Sequence, residues 1–173
     1  RSLMASVIAA HGEAVATQWG QGLVANMARR PQGNDRAQAK AIFEGQCDIA
    51  IMNHYYYGKM LYGDNEDHRD WANAIRLVFT NQANRGAHVN ISGGGLAKHS
   101  PNRDAAVQFL EFLTKPSAQQ LYGEINFEYP VNPAVSPGGV LQSFGDFKRD
   151  ELAIEKLAEL APAAQKIIDR IGW

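Results

Sequence analysis

The residues whose types and spacing could do chemistry are Asn53-His54-Tyr55-Tyr56-Tyr57. A free phenol has a pKa near 10 and is neutral at pH 7. A strongly charged cation reverses this, because a bound metal is the largest local charge and strips protons from its ligands. Anionic oxygens suit hard, highly charged ions, and Fe(III) is the biological ion best matched to phenolate. Two adjacent side chains must then converge on one point. Neighbours on a strand point to opposite faces, and neighbours on a helix diverge by about 100°, so convergence is easiest at a strand-to-helix turn. The apolar run Ile49-Ala50-Ile51-Met52 ends just before the motif and puts Tyr55 and Tyr56 at such a turn. A helix N-terminus beneath the pair would favour the anionic form by ~0.3–1 kcal/mol.

The residues alone leave other readings open. Tyrosine clusters at strand ends commonly pack half-buried, or form stacking walls for sugars and other organic ligands. An enzyme would need a cleft nucleophile, and the single thiol Cys47 lies within a strand pattern, where a buried structural cysteine is expected. One cysteine also excludes an intramolecular disulfide and a multi-cysteine zinc site. His11, His68, His88 and His99 show no metal-binding spacing. The acidic stretch 64–70 lacks the glycine and terminal glutamate of a calcium loop. Gly93-Gly94-Gly95 lacks the Gly-Lys-Ser/Thr of a phosphate loop and does not match Gly-x-Gly-x-x-Gly, so it reads as a turn. Ser92 and Ser136 have no nucleophile-elbow context. No catalytic pair stands out, and a protein that is not an enzyme is expected.

The elements that must position the tyrosines follow from periodicity. Apolar positions Val15, Trp19, Leu23, Val24 and Met27 predict a helix over 13–28, after a short apolar stretch that Gly12 interrupts. Asp35 stands as N-cap of a helix over 36–44, ended by Gly45. Residues 47–52, 75–79 and 88–91 read as strands, the first mostly buried. A short helix follows the tyrosines through Leu61, and 63–70 is a polar loop. Ala106, Phe109, Leu110 and Leu113 share one face of another helix, and Pro116 opens the next. The run 129–147, with Pro130, Pro133 and Pro137, is irregular. Two closing helices are expected, separated by Pro162. Strands interleaved with helices predict an α/β fold.

Composition narrows the class. The chain has 173 residues, 45% hydrophobic and 20% charged, with a formal net charge of −1 and a mean hydropathy of −0.33. These are ordinary values for a globular protein. The 17 basic residues are scattered and give no footprint for nucleic acid. No run approaches the ~18 apolar residues of a transmembrane segment. The opening Arg1-Ser2-Leu3-Met4 carries no initiator methionine or signal peptide, so a processed or truncated product is expected.

The segments Pro31-Gln32-Gly33-Asn34-Asp35-Arg36, 45–52, Asn53-His54-Tyr55-Tyr56-Tyr57-Gly58, Gly86-Ala87-His88-Val89-Asn90-Ile91-Ser92-Gly93, Phe109-Leu110-Glu111-Phe112-Leu113 and Glu128-Tyr129-Pro130-Val131 resemble the periplasmic Fe(III)-binding proteins of bacterial ABC importers. The resemblance covers nearly the whole chain. It implies a two-lobed, type II periplasmic substrate-binding fold, incomplete because most of a first lobe is absent. By that resemblance, 1–84 and 138–173 belong to the second lobe and 85–137 return to the first. It implies Fe(III) as cargo, Tyr55 and Tyr56 as metal ligands, and Tyr57 as packing. Asn53, Asn34 and Arg36 would line the cleft or hold an accessory anion such as carbonate or phosphate, although Asn53 could equally cap the following helix and Asn34 and Arg36 could be a solvated turn. His54 is expected to point away from the ligand pair. The expected partner is an ABC permease in the inner membrane, the location periplasmic, and the full-length state a monomer. Two phenolates on Fe(III) leave one positive charge and several open coordination positions, so further ligands are expected from outside this chain. The alternatives are a periplasmic binder of a sugar or polyamine, using the tyrosines as an aromatic wall, and a cleft enzyme.

Overall fold

The computed structural model describes all 173 residues, Arg1–Trp173. The chain divides into two compact units, one built from Arg1–Gln32, Val78–Ile91 and Phe147–Trp173, the other from Gly33–Leu77 and Ser92–Asp146.

In the first unit, helix α1 (Ser2–Ala25) runs with a break at Gly12, whose φ of 80° and ψ of 165° are non-helical. Only glycine takes such a φ without strain. The apolar face of α1, Met4, Ala5, Val7, Ile8 and Ala16, packs on Leu157, Ala164 and Ile167 of a single C-terminal helix, Ile154–Ile171. Two helices were expected here, and Pro162 does not separate them. Proline in a helix interior removes one hydrogen bond and costs about 3 kcal/mol. The stripe Leu157, Leu160, Ala164, Ile167, Ile168 and Ile171 continues on both sides of it, and each large apolar side chain buried returns about 1.5–3 kcal/mol. Burial wins. Arg85 pairs with Asp150 at 2.7 Å, both ends largely out of solvent.

The second unit holds the tyrosines. Helices α2 (Asp35–Phe43), α3 (His54–Leu61) and α4 (Glu66–Asn73) close around Ala39, Met60 and Ala72, with Met52, Tyr57, Leu61, Trp71 and Ile75 packed against them. The N-cap of α2 is Asn34, not Asp35: the Asn34 side chain accepts the Ala37 N–H, which frees Asp35 for another contact. Helix α4 replaces most of the expected polar loop. Asn65 caps it by accepting the His68 N–H at 2.9 Å, and Glu66 and Asp67 in its first turn complement the helix dipole. Helices α5 (Arg103–Leu113) and α6 (Pro116–Leu121) follow, and α6 runs on into a π-helical turn, Tyr122–Asn126. Phe127 ends that turn with a left-handed φ of 59°. A short helix, α7 (Gly139–Ser143), lies inside the run expected to be irregular, and Ile154–Ile171 is thus α8.

The three expected strands form no ladder. The sole β-bridge is an isolated parallel one between Ala87 and Arg149. A strand exists by pairing, since its backbone groups need partners across the ladder, and no backbone segment pairs with 47–52 or 75–79. Consequently Ile49 is 84% exposed and Ile51 50% exposed, against the expected burial, and Cys47 is half-buried rather than buried. An alternation survives at 75–79, where Ile75, Leu77 and Phe79 are partly buried and Arg76 and Val78 face solvent.

Candidate metal centre

Tyr55 and Tyr56 occupy the first turn of α3, with ring centroids 4.6 Å apart and planes inclined by 39°. The chain reaches them from the unladdered segment ending at Met52, and Asn53 adopts extended backbone angles before the helix begins. Both phenols are half-buried. Two concavities of about 290 and 370 Å³ lie elsewhere, the first beside Pro116, Gln120 and Pro130 and the second beside Ser6, Arg85 and Asp150, and neither is lined by the tyrosines.

Two cations flank the pair. The Arg36 guanidinium lies 5.0 Å from the Tyr56 ring centre, and Lys59 Nζ lies 5.7 Å from that of Tyr55, both within cation–π range. Arg36 Nε is buried without a hydrogen-bond partner. Lys59 follows Tyr55 by four residues, so one helix face carries both, and that spacing was readable in the sequence. Burial raises the Tyr55 pKa above its ordinary value. The neighbouring phenol, a hydrogen bond with it, and the carboxylates of Asp35 and Glu128 push the same way. An unliganded Tyr55 therefore stays protonated throughout the physiological range, and only a strong positive charge could displace its proton.

The residues around the pair are otherwise engaged. Asn53 caps nothing with its side chain. Its backbone N–H and side-chain amide both donate to one Asp35 oxygen, at 2.6 and 3.0 Å. Asn34, exposed at the start of α2, spends its side-chain oxygen on the Ala37 N–H. His54 Nε2 donates to the Phe127 carbonyl at 2.9 Å, and its ring contacts those of Tyr55, Tyr129 and Phe144. Burial lowers the His54 pKa, although the Phe127 carbonyl and the Glu128 charge oppose it. Tyr57 packs against the Ala39–Met60–Ala72 core and the Phe144 ring at 5.5 Å. The structure thus gathers Tyr55, Tyr56 and Arg36, with Asn53 tied in through Asp35. The sequence marks Asp35 only as a helix cap and gives Glu128 no role beside the tyrosines, because both act on Tyr55 or its neighbour Asn53 through the tertiary fold.

Residues 9–120 match the family described as bacterial extracellular solute-binding protein, and the chain belongs to that family. It is 41% identical over 173 residues to Iron uptake protein A1 of Synechocystis and 43% identical over 174 residues to Iron uptake protein A2 of the same organism. These alignments take in 100% and 99% of this chain but 48% and 50% of the two relatives, so the chain spans about half the length of the curated relatives it matches. Among solved structures, the ferric binding protein from Campylobacter jejuni superposes with a TM-score of 0.95 at 38% identity. A Trichodesmium protein determined in complex with iron and citrate superposes with a TM-score of 0.91 at 43% identity. Each superposition covers 99% of this chain and 54% of the other. The fold is the α/β, type II periplasmic substrate-binding fold, carried here in part. No helix is long and apolar enough to cross a membrane.

Proposed function

We propose that this chain is the part of a periplasmic Fe(III)-binding protein that contributes two tyrosinate ligands, Tyr55 and Tyr56, and that the whole protein delivers the ion to an ABC permease in the inner membrane. The reading is carried by one observation: two adjacent phenols lie side by side at a helix start, in a chain over 40% identical to two iron uptake proteins. On binding, each phenol gives up its proton and supplies one anionic oxygen to the ion. Fe(III) carries enough charge to offset the burial and the negative neighbours that hold the Tyr55 proton in place. No chemical transformation is involved, so the protein is a carrier and not an enzyme.

The remaining coordination positions fall to residues outside this chain and to an accessory anion such as carbonate or phosphate. Arg36 is the residue best suited to hold that anion, since it lies beside Tyr56 and its buried Nε has no other partner. Asn53 retains a side-chain oxygen and a second amide hydrogen for a cleft role, whereas Asn34 is committed to its helix cap. In the full-length protein, acting as a monomer, 1–84 and 138–173 would form one lobe, and 85–137 would return to the other.

The test is titration of the full-length apo-protein with Fe(III) against a competing chelator, followed in the visible region. Saturable binding of one ion with a phenolate-to-iron charge-transfer band is the expected result. Binding of sugars or polyamines without Fe(III) binding would contradict the proposal.

A further inference from the structure

The two residues that precede the tyrosine pair are each held from a different direction. Asp35, in the first turn of α2, accepts both the backbone N–H and the side-chain amide of Asn53 on a single oxygen, at 2.6 and 3.0 Å. His54 donates to the carbonyl of Phe127 at 2.9 Å, the residue whose left-handed backbone ends the π-helical turn. No side chain caps α3 itself. Its first turn instead closes by the bond from the Tyr56 N–H to the Asn53 carbonyl at 3.2 Å. The helix thus starts where its flanking contacts fix Asn53, and the phenols follow two and three residues later.

Neighbouring helix positions diverge by about 100°. Two adjacent phenol oxygens meet at one ion only for a narrow range of helix rotation, and metal–ligand distances tolerate about ±0.2 Å. An acceptor placed on Asn53 controls that rotation more directly than any contact further along α3. Through-residue supports of this kind orient metal ligands and hold their geometry before the ion arrives.

We propose that Asp35 is a positioning residue for the tyrosine pair: acting through Asn53, its carboxylate sets the start and rotation of α3 so that the Tyr55 and Tyr56 oxygens converge on the bound ion. This rests on the Fe(III) reading above. Asp35 needs no contact with the ion. What matters is where its acceptor oxygen stands, not the charge it carries.

Asp35→Asn and Asp35→Glu separate the two. Asparagine keeps an acceptor oxygen at the same place without the charge. Glutamate keeps the charge but carries the acceptor one methylene further out. Fe(III) affinity is measured by chelator competition on the full-length protein, alongside the wavelength of the phenolate-to-iron band and the thermal midpoint of the apo-protein. D35N is expected to keep the wild-type band and an affinity close to wild type. D35E is expected to bind roughly 10–100-fold more weakly, the loss typical when an outer support of a metal ligand is disturbed, with a displaced band. Charge attraction alone would give the reverse order, D35E like wild type and D35N weakened. A merely structural role would lower the thermal midpoint while leaving band and affinity alone. Either result, or D35N as weak as D35E, overturns the proposal. Wild-type protein that binds no Fe(III) overturns the functional reading and this one with it. Wild-type protein that binds while D35E binds equally well overturns the positioning role alone.

Discussion

Phe127 lies directly on Gly58: a Cβ built on Gly58 would stand 2.6 Å from Phe127 Cγ and 2.9 Å from Phe127 Cβ. Phe127 is itself 8% exposed, stacks on Tyr62 at 5.9 Å and carries the carbonyl that holds His54. The atoms met, Cβ and Cγ, lie next to the Phe127 backbone and not at the far end of a flexible side chain. Gly58→Ala is therefore expected to destabilise the protein by about 1–3 kcal/mol, the usual cost of overpacking a filled site. Gly22, in α1, has nothing within 4 Å of the same position. Gly22→Ala should stabilise by about 0.5–1 kcal/mol, through reduced backbone freedom in the unfolded chain. Urea denaturation of both variants measures the two signs.

Acid should weaken the apo-fold at two histidines. Burial lowers the pKa of His54, against the Phe127 carbonyl and Glu128. Burial also lowers that of His88, with Arg85 adding to the shift and Asp150 opposing it. A histidine whose folded pKa lies below its unfolded value of about 6.5 binds protons more readily when unfolded. Its contribution to stability is therefore present above pH 6.5 and is lost as pH falls from there through the folded pKa. Denaturation midpoints measured from pH 7.5 to 5 should decline in that window. His88→Gln and His54→Gln should each flatten part of the decline.

Much of this organisation is legible in the sequence. The break at Gly12, the helix opened by Pro116 and the helix entered by the tyrosines all follow from local rules that act within a few residues. The failures have particular causes. Asn34 and Asp35 are both good caps, and only the fold shows that Asp35 is wanted by Asn53, eighteen positions away. Helix α4 hides in a polar stretch because its start signal, Asn65-Glu66-Asp67, is also a loop composition. Pro162 reads as a breaker until its flanking apolar stripe is laid against α1. The segments 47–52 and 75–79 carry strand-like patterns, but a pattern fixes which face is apolar and not what pairs with the edge. At the site, residue types and order identify the tyrosines. The tethers on Asn53 and His54 are tertiary contacts with no local signature.

Metal uptake should release protons. The Tyr55 pKa stands above the ordinary phenol value of about 10. Each tyrosine that ligates must lose its proton, so binding releases about two protons from this pair, and affinity rises by up to ~100-fold per pH unit. The check is Fe(III) affinity from pH 5 to 8 on the full-length protein, with the chelator's own protonation taken into account. A slope near zero would point to a ligand set without tyrosinate.

Direct evidence for the tyrosine pair comes from the visible spectrum of the Fe(III)-loaded full-length protein and its variants. Tyr55→Phe and Tyr56→Phe keep each ring in place but remove one ligand oxygen. Each should weaken or abolish the charge-transfer band and lower Fe(III) affinity, with the apo-fold intact. Tyr57→Phe alters a residue packed against the Ala39–Met60–Ala72 core and should leave band and affinity close to wild type. A full-strength band in Tyr55→Phe and Tyr56→Phe, or its loss in Tyr57→Phe alone, would contradict tyrosinate binding by Tyr55 and Tyr56.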